Sequence, residues 1–323
     1  MKNIQEYNKL NIKTIFYLGF IAIFGNSFLN SLINICAPIV LSILLAIPIE
    51  SRFKHFDTCI YIIFSLIIVF NIVYYIANRT NNRNQKWKNL SSCVTKHLSG
   101  IHIETANNIF RMHKHTKNSI NKKQFIDKTY FNQLTGFQEL AFLVCKAIYN
   151  IISEELECDE CEITVYQKFP KSDNQKYDTV KMIAYATKDC VIPSTYSKTY
   201  RISKKSEHTN FMELFKTNQI NTIIYHTKRK VSDNFVLLPG SEVREKQICQ
   251  YIGMPIKTNR NNVICVLQID VSKKKVLGRN YKEVKFFSDN ILKPFSSILY
   301  NAYERDLVFD TLYEVWSHSL QES

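Results

Sequence analysis

Glycine and proline are scarce, seven of each in 323 residues, which excludes collagen-like and low-complexity chains. No glycine-rich phosphate loop is present either, since neither G-x-G-x-x-G nor G-x-x-x-x-G-K-[ST] occurs. G-x-S-x-G, H-E-x-x-H and the kinase signature set are also missing, so no catalytic residues are expected and the chain reads as a non-enzyme. Acidic residues are few, 28 against 42 Lys and Arg, for a net charge of +14. Nine cysteines is an odd count, scattered from Cys36 to Cys265, which fits reduced thiols better than a disulfide framework. The one C-x-x-C, Cys158 to Cys161, lacks the second pair that a zinc ribbon needs. Two acids separate its thiols and it follows a helix end, so it reads as a helix-to-strand turn. No metal or cofactor is expected.

What the chain has is long uncharged apolar stretches. Thr14 to Ile49 is 36 residues without a charge, and Thr58 to Asn78 is another 21. About 20 apolar residues span a bilayer, so both runs are long enough. Lys2, Lys9 and Lys13 precede the first, while Arg79, Arg83, Lys86 and Lys88 follow the second. Positive charge at both outer ends puts both termini in the cytoplasm. A two-helix hairpin occupying residues 1–80 is therefore expected, in a multi-pass protein of the inner (cytoplasmic) membrane. The first run is over-long for one crossing, about 54 Å against a core of about 30 Å, and a three-span arrangement stays open. Asn26, Asn30 and Asn34 repeat every four residues and share a helix face. They serve either helix packing through amide hydrogen bonds or, on assembly of several copies, the lining of a water-filled path.

A basic connector follows, residues 81–130. Counted from 79 to 128, it holds eleven Lys and Arg against Glu104 and Asp127. Such a juxtamembrane segment suits anionic lipid headgroups. It lacks the aromatic interleaving and motifs of nucleic-acid binders, so no nucleic-acid partner is expected. His97, His102, His113 and His115 have no zinc-site spacing and read as solvated side chains.

From Phe131 apolar residues recur at three- and four-residue steps, which predicts an amphipathic helix ending near Glu154. Strand patterns follow at Glu162–Phe169 and Asp178–Thr187, then a short helix around Asn210–Lys216 and a strand at Thr222–Thr227. Ile248–Ile256 and Val263–Val271 form a strand pair, and a helical pattern runs from Tyr281 to about Tyr313, interrupted at Pro294. The stretch from Tyr251 to Ile256 (YIGMPI), a polar loop, and Val263 to Asp270 (VICVLQID) resemble a GAF domain, as does the order of elements over residues 131–306. Residues 307–323 extend the last helix. The fold class expected is α+β: a GAF-like antiparallel sheet flanked by helices, preceded by the α-helical transmembrane hairpin. Cys265 stands where many family members have Gly, and neither the phosphodiesterase cyclic-nucleotide signature nor the phytochrome chromophore context is evident.

The resemblance implies a small-molecule ligand held between the sheet and the irregular middle, here about Tyr196–His226. That segment gathers Arg201, Lys204, Lys205, Ser206, His208 and Asn210, with Tyr200, Phe211 and Tyr225 nearby. Cations for phosphate and aromatic faces for a base together suit a phosphorylated nucleotide, a cyclic nucleotide being one candidate. Three readings compete. In one, the chain is a membrane-anchored sensor that signals on binding its ligand. In another it resembles the nucleotide-gated transmembrane effectors of bacterial antiphage (antiviral) defence, which oligomerise and disrupt the inner membrane. In the third, the GAF-like body is a dimerisation scaffold without ligand. A homo-oligomer is expected.

Overall fold

The structure, a computed structural model, describes residues 56–121, 136–171, 177–202, 214–215, 222–226 and 247–321, with single positions between 31 and 46. Two compact units divide at Asn89 and Leu90.

The first described helix, α1 (Phe56–Asn121), has 66 residues and no internal proline. At 1.5 Å per residue it extends about 99 Å. Its N-terminal part is the second apolar run, with Tyr61, Phe64, Leu66, Ile72 and Ile76 all more than half exposed. Among the described residues this is the one helix long and apolar enough to cross a membrane. Polar side chains there turn back on the helix: Asn71 Nδ2 donates to the Ile67 carbonyl at 2.9 Å, as does Thr80 Oγ1 to that of Ile76. That satisfies groups that hydrocarbon would leave unpaired. The first apolar run, with Asn26, Asn30 and Asn34, lies almost wholly outside the described residues, so one candidate span is described where two were expected. The basic connector, as far as Asn121, is the continuation of α1.

The second unit carries the sheet. Helix α2 (Phe137–Asn150) runs on through a wide π turn, Ile151–Glu155. Strands β1 (Cys161–Phe169) and β2 (Thr179–Ala186) form a hairpin with a bulge at Val165/Tyr166. Then come β3 (Thr199–Arg201), β4 (Ile223–His226), β5 (Gln250–Lys257) and β6 (Val263–Val271). The six strands form one sheet in the order β3-β2-β1-β6-β5-β4, with antiparallel pairing throughout. All nine residues of β6 are buried, which is why its sequence is nearly continuous in apolar residues. The short β3 was not expected; three residues are too few to show a period of two.

Helix α3 (Tyr281–Phe287) starts at Asn280, whose Oδ1 accepts from the Glu283 amide at 3.1 Å. Proline 294 does not interrupt the helical run as expected. A π turn at Ser288–Leu292 precedes α4 (Lys293–Gln321), widening the backbone where the proline ring would meet a carbonyl one turn back. Phe137 and Tyr303 meet edge-on, 5.6 Å between ring centres, tying α2 to α4.

Candidate functional site

The strand register sorts the sheet's side chains into two faces, because residues directly opposite in an antiparallel pair share a face and alternate along each strand. One face carries Ile163 and Val165 of β1, Cys265, Leu267 and Ile269 of β6, and Ile252, Met254 and Ile256 of β5. All are buried and, the weakly bonding Cys265 thiol apart, apolar; Gln250, at the start of β5, shares this face by register and bonds to the loop after β6. Cys145 of α2 and Tyr303 of α4 both lie close enough to Cys265 to be felt electrostatically, so the two helices cover this side. Burial pushes the Cys145 and Cys265 thiols far above their ordinary range, and both stay neutral.

The other face is different in kind. By register it holds Thr164 and Tyr166 on β1, Val266, Gln268 and Asp270 on β6, and Tyr251 and Gly253 on β5. Thr164, Gln268 and Asp270 are three of the few buried polar side chains among the described residues. Thr164 Oγ1 donates to Gln268 Oε1 at 3.2 Å, and Gln268 Nε2 donates to Tyr251 Oη at 2.8 Å. The amide is thus read from both ends by hydroxyls on its two neighbouring strands. Tyr251 reaches Gln268 across Gly253: a Cβ there would stand 2.5 Å from the phenol oxygen and 2.7 Å from Leu214 Cδ1.

Beside this polar half lies an apolar half. Tyr166, Val180, Met182, Tyr200 and Val266 cluster with Leu214 and Phe215, the two described residues of the expected short helix. Tyr185, Tyr196 and Ile202 pack at its edge, Tyr185 and Tyr196 edge-on at 5.0 Å. Tyr166 Oη and Thr195 Oγ1 are 2.9 Å apart in a buried hydrogen bond. Burial raises the Tyr166 phenol well above its usual range, against the lowering effect of that bond, so it remains a neutral donor and acceptor. A surface of hydrogen-bonding side chains beside aromatic rings can hold a flat, polar-edged molecule. Among the described residues, no group of three His, Cys, Asp or Glu is placed to hold a metal ion.

The ligand residues expected from the sequence divide as follows. Tyr200 is buried in the cluster, and Arg201, next along β3, is exposed. Tyr225 pairs with Tyr251 in the β4–β5 ladder, so its position belongs to the polar face by register. Lys204, Lys205, Ser206, His208, Asn210 and Phe211 lie outside the described residues. Sequence reasoning passed over Thr164, Tyr166, Tyr251, Gln268 and Asp270. The signal was there: Gln268 and Asp270 interrupt an apolar strand with a period of two. The Cys158 and Cys161 thiols are buried and in no disulfide, Cys158 in the turn before β1 and Cys161 at its first residue.

No protein-family model matches the chain, and no curated protein matches it. Solved structures do. A type II free methionine-R-sulfoxide reductase from Thermoplasma acidophilum is 8% identical, covering 52% of this chain and 92% of its own, with a TM-score of 0.34. The blue-light absorbing form of the PixJ GAF domain from Thermosynechococcus elongatus is 14% identical, covering 57% and 96%, at 0.35. A phycoerythrobilin-bound GAF domain from a cyanobacterial phytochrome is 10% identical, covering 66% and 96%, at 0.37.

Proposed function

We propose that the chain is a membrane-anchored, non-enzymatic sensor whose cytosolic GAF-like body binds a small ligand, a nucleotide second messenger, and passes the signal to the membrane or to a partner protein. The observation that carries this reading is the unequal chemistry of the two sheet faces. A sheet built only for stability would bury apolar residues on both sides, as it does under α2 and α4. Apolar residues would fill this face with no polar group to desolvate, so a collection of an amide, a carboxyl and several hydroxyls there, bonded to one another as Thr164, Gln268 and Tyr251 are, supports a site. The aromatic rings of Tyr166, Tyr185, Tyr196 and Tyr200 supply surfaces for a base, and the cations expected at residues 201–208 would meet a phosphate.

The uninterrupted α1 favours a second reading, in which the membrane segment is itself the output. A single helix leaves the apolar run and continues to Asn121, so a change at its far end would be carried along it without an internal break. That suits a nucleotide-gated effector of the antiphage kind.

Thermal unfolding of the full chain in nanodiscs, against a panel of linear and cyclic nucleotides, tests the ligand. A ligand at a hundred times its dissociation constant adds about 2.7 kcal/mol, which for a body of this size raises Tm by roughly 5–10 °C. No shift with any nucleotide removes the nucleotide reading. Ligand-dependent depolarisation of vesicles or cells selects the effector over the sensor.

A further inference from the structure

The body has a second surface that the ligand reading does not use. Residues 129–323 hold 26 basic and 23 acidic residues, a net charge of only +3. Between Ser272 and Phe286 alone there are six cations and one acid, a net of +5. The rest of the body is therefore slightly acidic in sum, and one block of its positive charge lies in the β6–α3 loop and on α3.

That loop is held in place rather than hanging in solvent. Buried Gln250 donates from Nε2 to the Gly278 carbonyl at 2.8 Å and accepts from the Leu277 amide at 3.0 Å. The Ser272 amide donates to the Glu160 carbonyl at 3.0 Å. Gly278 sits at a φ of 156°, where a Cβ would stand 2.7 Å from the Val284 amide nitrogen, so the tight entry into α3 requires glycine. The one acid in this stretch, Glu283, accepts from the Arg279 amide at 2.9 Å and is turned into the loop's own bonding, while from outside the loop Asp159 Oδ1 lies 3.9 Å from Lys273 Nζ.

On α3 the inner residues Val284 and Phe287 are fully buried. The outer face carries Lys282, Lys285 and Phe286, one helical turn apart, with Tyr281 beside them. Tyr281 is 55% and Phe286 46% exposed. Lysines around exposed aromatic rings, on one side of a fixed helix, match the headgroup layer of an anionic bilayer, where cations meet lipid phosphate and rings enter the boundary region.

We propose that the β6–α3 loop and the outer face of α3 form a docking surface for anionic phospholipid, distinct from the basic part of α1. The choice of lipid over another polyanion rests on the membrane anchoring proposed above, which tethers the chain to a bilayer. Docking would couple the body's position to the lipid composition beneath it.

The test uses the full chain with Trp87 and Trp316 replaced by Phe and a single reporter introduced as Tyr281→Trp. It is reconstituted into vesicles of brominated phosphatidylcholine, with or without phosphatidylglycerol. The tether is common to both, so the difference in tryptophan quenching reads docking alone. Strong quenching is expected only with phosphatidylglycerol, and it should be lost near 1 M salt, where the screening length falls to about 3 Å. Lys275→Gln, Lys282→Gln and Lys285→Gln together should lower the docked fraction at least about tenfold, from roughly fivefold per charge near an anionic surface. Equal quenching in the two vesicle types, or quenching unchanged by the triple variant, overturns the proposal. So does a shift of the reporter's emission by single-stranded oligonucleotide when phosphatidylglycerol gives none. An alkaline carbonate wash of the neutral vesicles checks anchoring separately. If the chain washes off, the same quenching read on chain added from outside still decides docking.

Discussion

Gln268 Nε2 donates a 2.8 Å hydrogen bond to the phenol oxygen of Tyr251, and the ring reaches it by lying over Gly253, the residue that pairs with Gln268 in the β5–β6 ladder. Because Thr164 Oγ1 donates to the other end of the same amide, three strands are tied through one side chain on the polar face. Replacing Gln268 with Met keeps the volume and leaves two buried hydroxyls short of a partner. A loss of about 1–3 kcal/mol is expected, read from the urea midpoint at unchanged slope. A loss under about 0.5 kcal/mol would be ordinary for an exposed site, and would mean that water already serves these groups.

Gly253 is required for space. Gly253→Ala places a methyl 2.5 Å from the Tyr251 phenol oxygen and 2.7 Å from Leu214 Cδ1. Overpacking of this sort costs about 1–3 kcal/mol. Leu214→Ala should open room on one side, so the double variant should be less destabilised than the sum of the two singles. A coupling of at least about 0.5 kcal/mol is expected for residues in contact. Simple additivity in the cycle would show that Leu214 does not cover Gly253.

Much of this fold was legible. Val263–Val271 and Glu162–Phe169 announce themselves by apolar runs too short for helices, and the first matches the observed strand while the second is one residue short. Helix α2 was readable because one stripe, from Phe137 to Ile148, repeats at helical spacing and is buried. The site was less legible for a physical reason. Composition singles out charge, so the reading settled on Arg201 and its neighbouring cations. A buried face advertises itself only by one uncharged residue in two, as Thr164 and Tyr166 do among Ile163 and Val165. The Tyr251–Gln268 contact also spans 17 residues and depends on a register that no local pattern fixes. Pro294 misled because proline ordinarily ends a helix; the wider turn from Ser288 absorbs it.

The β1–β2 hairpin offers a pH dependence. Lys168 Nζ lies 2.9 Å from Asp178 Oδ2, and the Lys171 amide donates to Asp178 Oδ1 at 3.0 Å. The Lys168 hydrogen bond is the main cause that holds the Asp178 carboxyl below its ordinary value, partly offset by burial. A carboxyl with a depressed folded-state pKa contributes stability that is complete above its unfolded value of about 3.9 and is lost as pH falls through the folded value. Asp178→Asn should therefore cost about 0.5–1 kcal/mol near neutrality. The gap from wild type should close below about pH 4, once the wild-type carboxyl is protonated too. A gap that stays constant down to low pH would assign the cost to lost backbone capping instead.

The cysteines give a test of the core that needs no substitution. Cys145 and Cys265 face each other from α2 and β6, fully buried, with burial as the main cause raising both thiols. Cys158 is likewise buried and its thiol raised by burial, while Cys190 is exposed in the short 3-10 turn after β2. Only a thiolate alkylates, and a thiol kept neutral and out of water reacts when the surrounding structure opens. With folding equilibria of about 10³ to 10⁸, Cys145 and Cys265 should be alkylated by iodoacetamide at neutral pH at least about a thousandfold more slowly than Cys190. Both should become reactive together in denaturant, because one opening of the helices from the sheet exposes the pair. Peptide mass mapping over time reads the order. Labelling of Cys265 on the time scale of Cys190 would mean that α2 does not cover β6, and with it the apolar side of the sheet would lose its assigned role.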